Sequence, residues 1–125
     1  MQKTLKAEDI MEKNVITIGP DVMLDKAIQR LLENRISGMP VVDDNGKIIG
    51  IISEKDILNF LFCGYLHNTK VSEAMTENLV HFDPETRIEK IAIAISKYQF
   101  RRVPILQDSK VVGIVSRRDI IRHVL

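Results

Sequence analysis

The sequence lacks tryptophan, has one cysteine and is only 5% aromatic over its 125 residues. Because Cys63 stands alone, no disulfide can form within the chain, and nothing indicates an oxidising compartment. No apolar run approaches the roughly 18 residues needed to span a bilayer, and residues 1–6 do not form an apolar signal region. We therefore expect a cytoplasmic location and no association with a membrane.

Patterns for catalysis and for metal binding are missing as well. There is no Ser/His/Asp or Cys/His set of the kind used in nucleophilic catalysis, and no glycine-rich phosphate loop. Cys63 and His67 are four residues apart and could share a metal, but a closed zinc site takes four ligands and no second pair is visible. We therefore expect neither an enzyme nor a metal site.

Charge is nearly balanced over the chain but not between its halves. The net charge is +1, yet residues 1–62 hold 8 basic and 10 acidic side chains, whereas residues 63–125 hold 10 basic and 7 acidic ones. A near-neutral chain without a recognised motif is a poor match to a nucleic-acid-binding protein. Any preference for anions is expected in the second half.

The sequence contains an internal duplication. Residues 41–57 return as residues 105–120, with an offset of 64 residues before the central turn and 63 after it. One residue has therefore been lost in the turn, where loss is tolerated. Halves of about 60 residues would be marginal alone but could share a core, so we expect one module made of a first repeat (1–62) and a second repeat (63–125).

Each half shows the same order of expected elements: strand, helix, strand, strand and helix. In the first half, residues 15–18 form a short extended run, and apolar residues over 24–32 have the spacing of an amphipathic helix. Residues 39–52 indicate a hairpin with an Asp-Asn-Gly turn. A last helix is expected over 54–62.

The second half repeats this order. There, Thr86 and Glu89 have the spacing of a capping box at the start of the first helix. The two halves together predict an α/β (α+β) fold made of two β-α-β-β-α repeats, related by pseudo-twofold symmetry and packed through their sheets.

A serine, with an aspartate three residues later, follows the apolar strand of both halves: Ser53 with Asp56, and Ser116 with Asp119. The serine would lie beside the unpaired N–H groups of the first helical turn, where an anion is favoured. The aspartate offers acceptors for both hydroxyls of a ribose. The pattern therefore fits a nucleotide site. It equally fits a capping box that binds no ligand.

The whole pattern resembles the cystathionine β-synthase (CBS) domain family, whose tandem pairs are called Bateman modules. The resemblance lies in a hydrophobic-Pro-Val-Val strand, an Asp/Asn-Gly turn and a Gly-hydrophobic-hydrophobic-Ser/Thr-x-x-Asp sequence, and it covers both copies. It implies a non-catalytic regulatory module that requires no cofactor. It also implies that an adenosine-type ligand (AMP, ADP, ATP or S-adenosylmethionine) binds in clefts between the repeats.

The resemblance assigns residues to two clefts, each with the aspartate of one repeat and residues of the other. One cleft would comprise Ser116, Asp119, Gly19, Leu24, Ile36 and Ser37. The other would comprise Ser53, Asp56, Asp83, Ile88, Phe100 and Arg101. A related arrangement in the family carries a His-Arg pair that contacts phosphate, and Arg101 and Arg102 occupy the matching positions.

The two clefts are expected to differ in charge. Arg101 and Arg102 replace a serine and a glycine of the first half, and Arg118 adds a guanidinium inside the second Ser-x-x-Asp. Guanidinium groups give bidentate phosphate contacts. We therefore expect the cleft with Asp119 to bind a phosphorylated adenosine ligand more tightly than the cleft with Asp56. The alternative is that these arginines form an ordinary solvated surface.

The last expectation concerns the partners that this protein would bind. Both halves end with more apolar side chains than one helix face needs, and the family pairs through helices, so we expect a homodimer. These side chains are Phe60, Leu61, Phe62, Tyr65, Leu66, Ile120, Ile121, Val124 and Leu125. The sequence does not identify an effector protein. A structural or oligomerisation module with vestigial clefts is the main alternative, and nucleic-acid binding through the arginines of the second half is the weakest.

Overall fold

The computed structural model describes residues 4–62 and 64–124. Within them the elements are α1 (Ala7–Ile10), α2 (Leu24–Asn34), β1 (Gly38–Val42), β2 (Ile48–Ser53), α3 (Glu54–Leu61), α4 (Val71–Ala74), α5 (Ile88–Tyr98), β3 (Arg102–Gln107), β4 (Lys110–Ser116) and α6 (Arg117–Val124). The strands form two antiparallel pairs, β1 with β2 and β3 with β4. This mixed content confirms the expected fold class. No helix of the described residues is long and apolar enough to cross a membrane.

Two compact units divide the chain, and their limits differ from the limits expected for the repeats. The Ser53 unit comprises Ile16–Leu79, and the Ser116 unit joins the residues up to Val15 to those from Val80 onwards. Each unit has its own buried apolar cluster, and the expectation of one module stays a prediction. The first cluster is Ile18, Leu24, Ala27, Leu31, Met39, Val41, Ile52, Ile57 and Val71. The second is Ala7, Ile10, Ile88, Ile91, Ile95, Val103, Ile105, Val115 and Ile120.

Each unit is built on one hairpin, as the sequence predicts. Both hairpins have a register shift at the same repeat position, after Val41 and after Ile105. Between the equivalent pairs Val42–Ile48 and Leu106–Val111 lie residues 43–47 in the first hairpin and residues 107–110 in the second, which is one residue fewer. The single deletion in the duplication therefore lies in this turn.

The first strand expected in each repeat is reduced to a single bridged residue, so its predicted length is wrong. Only Ile18 forms a bridge, parallel to Val41, and only Phe82 forms the equivalent bridge, to Ile105. A proline follows two residues later in each repeat. The proline limits any extension beyond the bridge, because it has no N–H to donate, and residues 15–17 before the bridge are not paired in a strand.

The longest helix of each unit buries the predicted apolar stripe. The buried residues are Leu24, Ala27 and Leu31 in α2, and Ile88, Ile91 and Ile95 in α5. Both helices end at a residue with left-handed backbone, Arg35 (φ 54°) and Gln99 (φ 57°). The capping box expected at Thr86 is wrong: α5 begins at Ile88, and the Thr86 hydroxyl donates to Asp83 Oδ1 at 3.1 Å instead.

A short N-terminal segment, residues 5–12, packs in the Ser116 unit although it precedes the first repeat's hairpin. It contains α1, which the sequence did not predict. Ile88 N–H at the start of α5 donates to Leu5 O at 3.0 Å. Glu12 then pairs with Ile114 of β4 through two backbone hydrogen bonds of 2.8 and 3.0 Å. The segment thus caps one helix and extends along one strand of the unit.

The equivalent segment, residues 69–76, does the same in the Ser53 unit. Leu24 N–H at the start of α2 donates to Thr69 O at 2.9 Å. Thr76 pairs with Ile51 of β2 through backbone hydrogen bonds of 2.9 and 3.0 Å. We name 5–12 and 69–76 the crossing segments. Because of them, the compact units do not follow the sequence repeats.

A glycine in each second strand allows the crossing segment to approach. A Cβ added at Gly50 would lie 2.5 Å from Met75 Sδ and 3.1 Å from Thr76 O. A Cβ added at Gly113 would lie 2.9 Å from Met11 Cβ. The glycine that recurs in the duplication is therefore required by packing against a methionine of the crossing segment.

Candidate functional site

The serine and aspartate of the Ser53 unit form a closed hydrogen-bonded turn where β2 passes into α3. Ser53 N–H and Oγ–H both donate to Asp56 Oδ2, at 3.0 and 2.9 Å. Asp56 N–H donates back to Ser53 Oγ at 3.3 Å. Both residues are half-buried. The carboxylate is thus held at the start of the helix while still partly exposed to solvent.

The Ser116 unit repeats this arrangement where β4 passes into α6. Ser116 N–H and Oγ–H donate to Asp119 Oδ2, at 2.8 and 2.9 Å. Asp119 N–H donates to Ser116 Oγ at 3.2 Å. Both residues are again half-buried. We name the two features the Ser-Asp turns.

The capping arrangement that the sequence allowed is present at both Ser-Asp turns. In each, Oδ2 accepts two hydrogen bonds from the serine, which fills its two lone pairs. A ligand would therefore bind at Oδ1 or displace the serine hydroxyl. Capping and ligand binding remain compatible, because they use different oxygens of the carboxylate.

Thr76 makes a contact with one Ser-Asp turn that the sequence analysis missed. Its Oγ1 donates to Asp56 Oδ1 at 3.3 Å, and its pairing with Ile51 brings it there. The equivalent residue in the Ser116 unit is Glu12, whose Oε1 accepts from Asn14 N–H at 2.9 Å. Aligning the two repeats with the offset of 64 residues is enough to show that these equivalent positions carry different residues. Only the pairing of the crossing segments shows that they adjoin the Ser-Asp turns.

The other residues assigned by the family resemblance lie in the units as follows. Gly19, Leu24, Ile36 and Ser37 belong to the Ser53 unit, and Asp83, Ile88, Phe100, Arg101, Arg102 and Arg118 belong to the Ser116 unit. Leu24 is fully buried and Ile88 is 7% exposed, so both side chains belong to the cores. Asp83, Arg101 and Arg118 are exposed, and the others are half-buried. Their contact with a ligand stays a prediction.

Backbone pairing brings Arg101 to the start of α6. Arg117 N–H donates to Arg101 O at 3.1 Å, as Glu54 N–H donates to Ser37 O at 2.9 Å in the Ser53 unit. Arg101, Arg117 and Arg118 are all exposed. Cations at the first turn of a helix face the positive end of its dipole, which is unfavourable unless an anion is present.

No group of three or more metal-ligating side chains occurs among the residues that the structure describes. Cys63, considered above as a metal partner of His67, lies outside them. His67 Nδ1 instead lies 2.9 Å from Asp25 Oδ2 at the start of α2. Burial acts to raise the pKa of Asp25, but the hydrogen bonds from His67 and from Lys26 N–H outweigh it, so this pKa lies below its usual value.

The apolar side chains expected at a dimer interface are only partly exposed. Leu61, Phe62, Tyr65 and Ile121 are exposed, Phe60 and Leu66 pack against the core of the Ser53 unit, and Ile120 is buried. Leu125 and the side chain of Val124 lie outside the described part of the chain. Four further apolar side chains are exposed on helices: Leu32, Leu58, Ile93 and Tyr98.

The hairpins, the helices and the Ser-Asp turns define a tandem pair of small α+β domains. The model of the CBS domain family matches residues 7–62 and again residues 71–125. The chain therefore belongs to the CBS domain family and carries two copies of the domain, as the resemblance indicated.

Two relatives are longer than this chain. It is 30% identical over 114 residues to the uncharacterized protein MJ1225 of Methanocaldococcus jannaschii, covering 91% of this chain and 41% of that protein. It is 35% identical over 117 residues to the L-aspartate semialdehyde sulfurtransferase of the same organism, covering 92% of this chain and 22% of the enzyme. A CBS pair is a regulatory module and not a catalytic one, so the match does not extend the enzyme's activity to this chain.

Two solved CBS pairs have the same fold and contain adenosine compounds. The pair of protein MJ0100, in complex with 5′-methylthioadenosine and S-adenosyl-L-methionine, is 33% identical with a TM-score of 0.87, covering 98% of this chain and 97% of that one. CBSX2 in complex with AMP is 27% identical with a TM-score of 0.88, covering 96% of both chains.

Proposed function

We propose that this chain is a non-catalytic regulatory module that binds an adenosine-type ligand at its Ser-Asp turns. The ligand class comprises AMP, ADP, ATP and S-adenosylmethionine. The observation that carries the proposal is the presence of two partly exposed aspartates, each fixed by a serine through Oδ2. Their Oδ1 atoms can accept the hydroxyls of a ribose. The adenosine compounds bound to the related CBS pairs support the same class.

The Ser116 unit is the better candidate for a phosphorylated ligand. Arg117 and Arg118 are exposed in the first turn of α6, where α3 of the Ser53 unit has Glu54 and Lys55. Guanidinium groups in this position can pair with a phosphate and offset the unfavourable dipole interaction. We therefore propose that phosphate selectivity resides at Asp119.

Titration calorimetry with AMP, ADP, ATP and S-adenosylmethionine tests both statements. Asp119→Ala is expected to weaken binding of the phosphorylated ligands more than Asp56→Ala, and Asp44→Ala, in an exposed turn, serves as the control. Melting curves without ligand check that each variant is folded, since both aspartates also cap helices. Equal losses from the two substitutions would remove the proposed asymmetry. No binding of any of the four compounds would remove the ligand-binding function.

One observation favours a second function, that of a structural module with vestigial sites. Each Ser-Asp turn already forms a complete reciprocal cap without any ligand. A thermal-shift screen separates the two functions, because a ligand at 100 times its dissociation constant should stabilise the protein by about 2.7 kcal/mol. The absence of any shift would favour the structural function.

We also propose a homodimer that covers exposed apolar side chains of the helices. Phe62 is 91% exposed, and Leu58 on α3 and Ile121 on α6 are 55% and 62% exposed. Leu58 and Ile121 occupy equivalent positions in the duplication, so both units offer an apolar spot on the same helix face. Such side chains are expected to be buried by a partner. A cytoplasmic location stays a prediction from the sequence.

A further inference from the structure

Thr76 lies outside the Ser-x-x-Asp pattern and makes a side-chain hydrogen bond to the carboxylate of Asp56. Its hydroxyl donates to Oδ1 at 3.3 Å, the carboxylate oxygen that Ser53 does not use. The side chain is exposed, and its backbone is fixed by the pairing with Ile51. Oδ1 is therefore the oxygen at which Thr76 and a ligand would meet.

A count of acceptor sites shows what Thr76 contributes. A carboxylate has about four lone-pair sites, and in Asp56 two are used by Ser53 and one by Thr76. These three hydrogen bonds leave at most one site, whereas the two hydroxyls of a ribose need two acceptors. The Thr76 oxygen, having donated its proton to Asp56, presents its own lone pairs. The second acceptor for the diol is therefore available on Thr76.

The position equivalent to Thr76 in the Ser116 unit carries no hydroxyl. Glu12 occupies the position of Thr76, is paired with Ile114 in the same way, and has its carboxylate turned to Asn14 N–H. An ionised carboxylate cannot donate to Asp119. The two Ser-Asp turns therefore differ in how their aspartates are oriented, in addition to the arginines.

We propose that Thr76 is a binding and positioning residue of the site at Asp56. Its hydroxyl holds Oδ1 and accepts one hydroxyl of the ribose diol, while Oδ1 accepts the other. The proposal rests on the adenosine-binding function above. It assigns recognition of the ribose diol in the Ser53 unit to a residue of the crossing segment 69–76. This segment continues along the chain through residues 77–80 into the Ser116 unit.

The test measures adenosine binding by titration calorimetry in an Asp119→Ala background, so that only the site at Asp56 is observed. Adenosine carries no phosphate and therefore does not draw on the arginines. Thr76→Val keeps the branched shape and removes the hydroxyl, and loss of the hydrogen bond between the ribose and this neutral group should weaken binding about three- to tenfold. Thr76→Ser restores the hydroxyl and should bind within about twofold of the parent.

Two matched controls separate recognition from folding. 2′,3′-Dideoxyadenosine lacks the diol, so Thr76→Val should leave its weak binding unchanged, which a merely structural role of Thr76 would not predict. Conversely, Glu12→Thr in an Asp56→Ala background should tighten adenosine binding at Asp119.

The outcomes distinguish the two proposals. If the parent binds adenosine and Thr76→Val binds equally well or more tightly, this inference is overturned and the adenosine-binding function stands. Equal weakening by Thr76→Val and Thr76→Ser would also overturn it. If neither the Asp119→Ala nor the Asp56→Ala parent binds adenosine, AMP or S-adenosylmethionine, the function itself fails and the inference with it.

Discussion

Replacing Gly50 by alanine should destabilise the Ser53 unit through one crowded contact. The added Cβ would lie 2.5 Å from Met75 Sδ and 2.9 Å from Met75 Cγ. A methionine side chain can rotate away, but the Cβ would also lie 3.1 Å from Thr76 O, which is held by the pairing with Ile51. Overpacking of this kind costs about 1–3 kcal/mol, and the lower entropy of the unfolded chain returns about 0.4–1 kcal/mol.

The expected net loss in the free energy of unfolding is therefore about 1–2 kcal/mol. Urea denaturation followed by circular dichroism measures it as a lower midpoint at an unchanged slope. Gly19→Ala is the matched control, because its Cβ would meet only Val22 Cγ2, at an ordinary distance of 4.0 Å. That variant should lie within about 0.5 kcal/mol of the parent.

A double-mutant cycle identifies the contact responsible. Met75→Ala leaves a void and destabilises the protein by itself. In combination with Gly50→Ala it also removes the crowding, so the double variant should lose less free energy of unfolding than the two single variants lose together. The reasoning is refuted if Gly50→Ala is as stable as Gly19→Ala. It is also refuted if the two losses at Gly50 and Met75 simply add.

Three further predictions concern stability and assembly. Ser109 has φ 67° in a two-residue turn, so Ser109→Gly should raise the free energy of unfolding by about 0.5–1 kcal/mol in urea denaturation, and no gain would contradict this. Because the pKa of Asp25 is lower in the folded protein than in the unfolded chain, its ionised carboxylate stabilises the fold above the unfolded pKa, and this stabilisation is lost as the pH falls through the folded pKa. The urea midpoint should therefore fall more steeply below about pH 4 in the parent than in Asp25→Asn. Parallel curves for the two proteins would contradict this prediction. Leu58→Asp combined with Ile121→Asp should shift sedimentation equilibrium towards monomer, and an already monomeric parent would exclude the dimer.

The repeated elements could be predicted because their signals are local. The apolar stripes of α2 and α5 follow the helical period over three turns, and each hairpin carries two apolar runs with a turn between them. The Ser-Asp turns follow from the same reasoning, since a serine at the end of a strand and an acid three residues later specify a cap within one helical turn.

The crossing segments could not be predicted in this way. Helices α1 and α4 have four residues each, which is too short for a helical period to appear. Their positions depend on backbone hydrogen bonds to partners far along the chain, such as Ile88 to Leu5. For the same reason the contact of Thr76 with Asp56, 20 residues away, was absent from the predicted site.

The expected first strands failed for a different reason. Residues 15–18 are apolar and β-branched, which favours extended backbone, and the backbone is indeed paired at Ile18. A strand, however, requires a paired neighbour along its whole length, and residues 15–17 have none. Local propensity indicated the conformation correctly but could not indicate how much of it is paired.

The duplication also provides a comparison within one chain. Glu54 and Arg117 are the first residues of α3 and α6, follow equivalent serines, and donate equivalent backbone hydrogen bonds. A helix start favours the acid by about 0.3–1 kcal/mol, and α3 follows this rule while α6 does not. Because the backbone is the same at both positions, folding does not require the arginine. Departures from local rules are expected at functional sites, so the basic start of α6 supports the proposal of a phosphorylated ligand there.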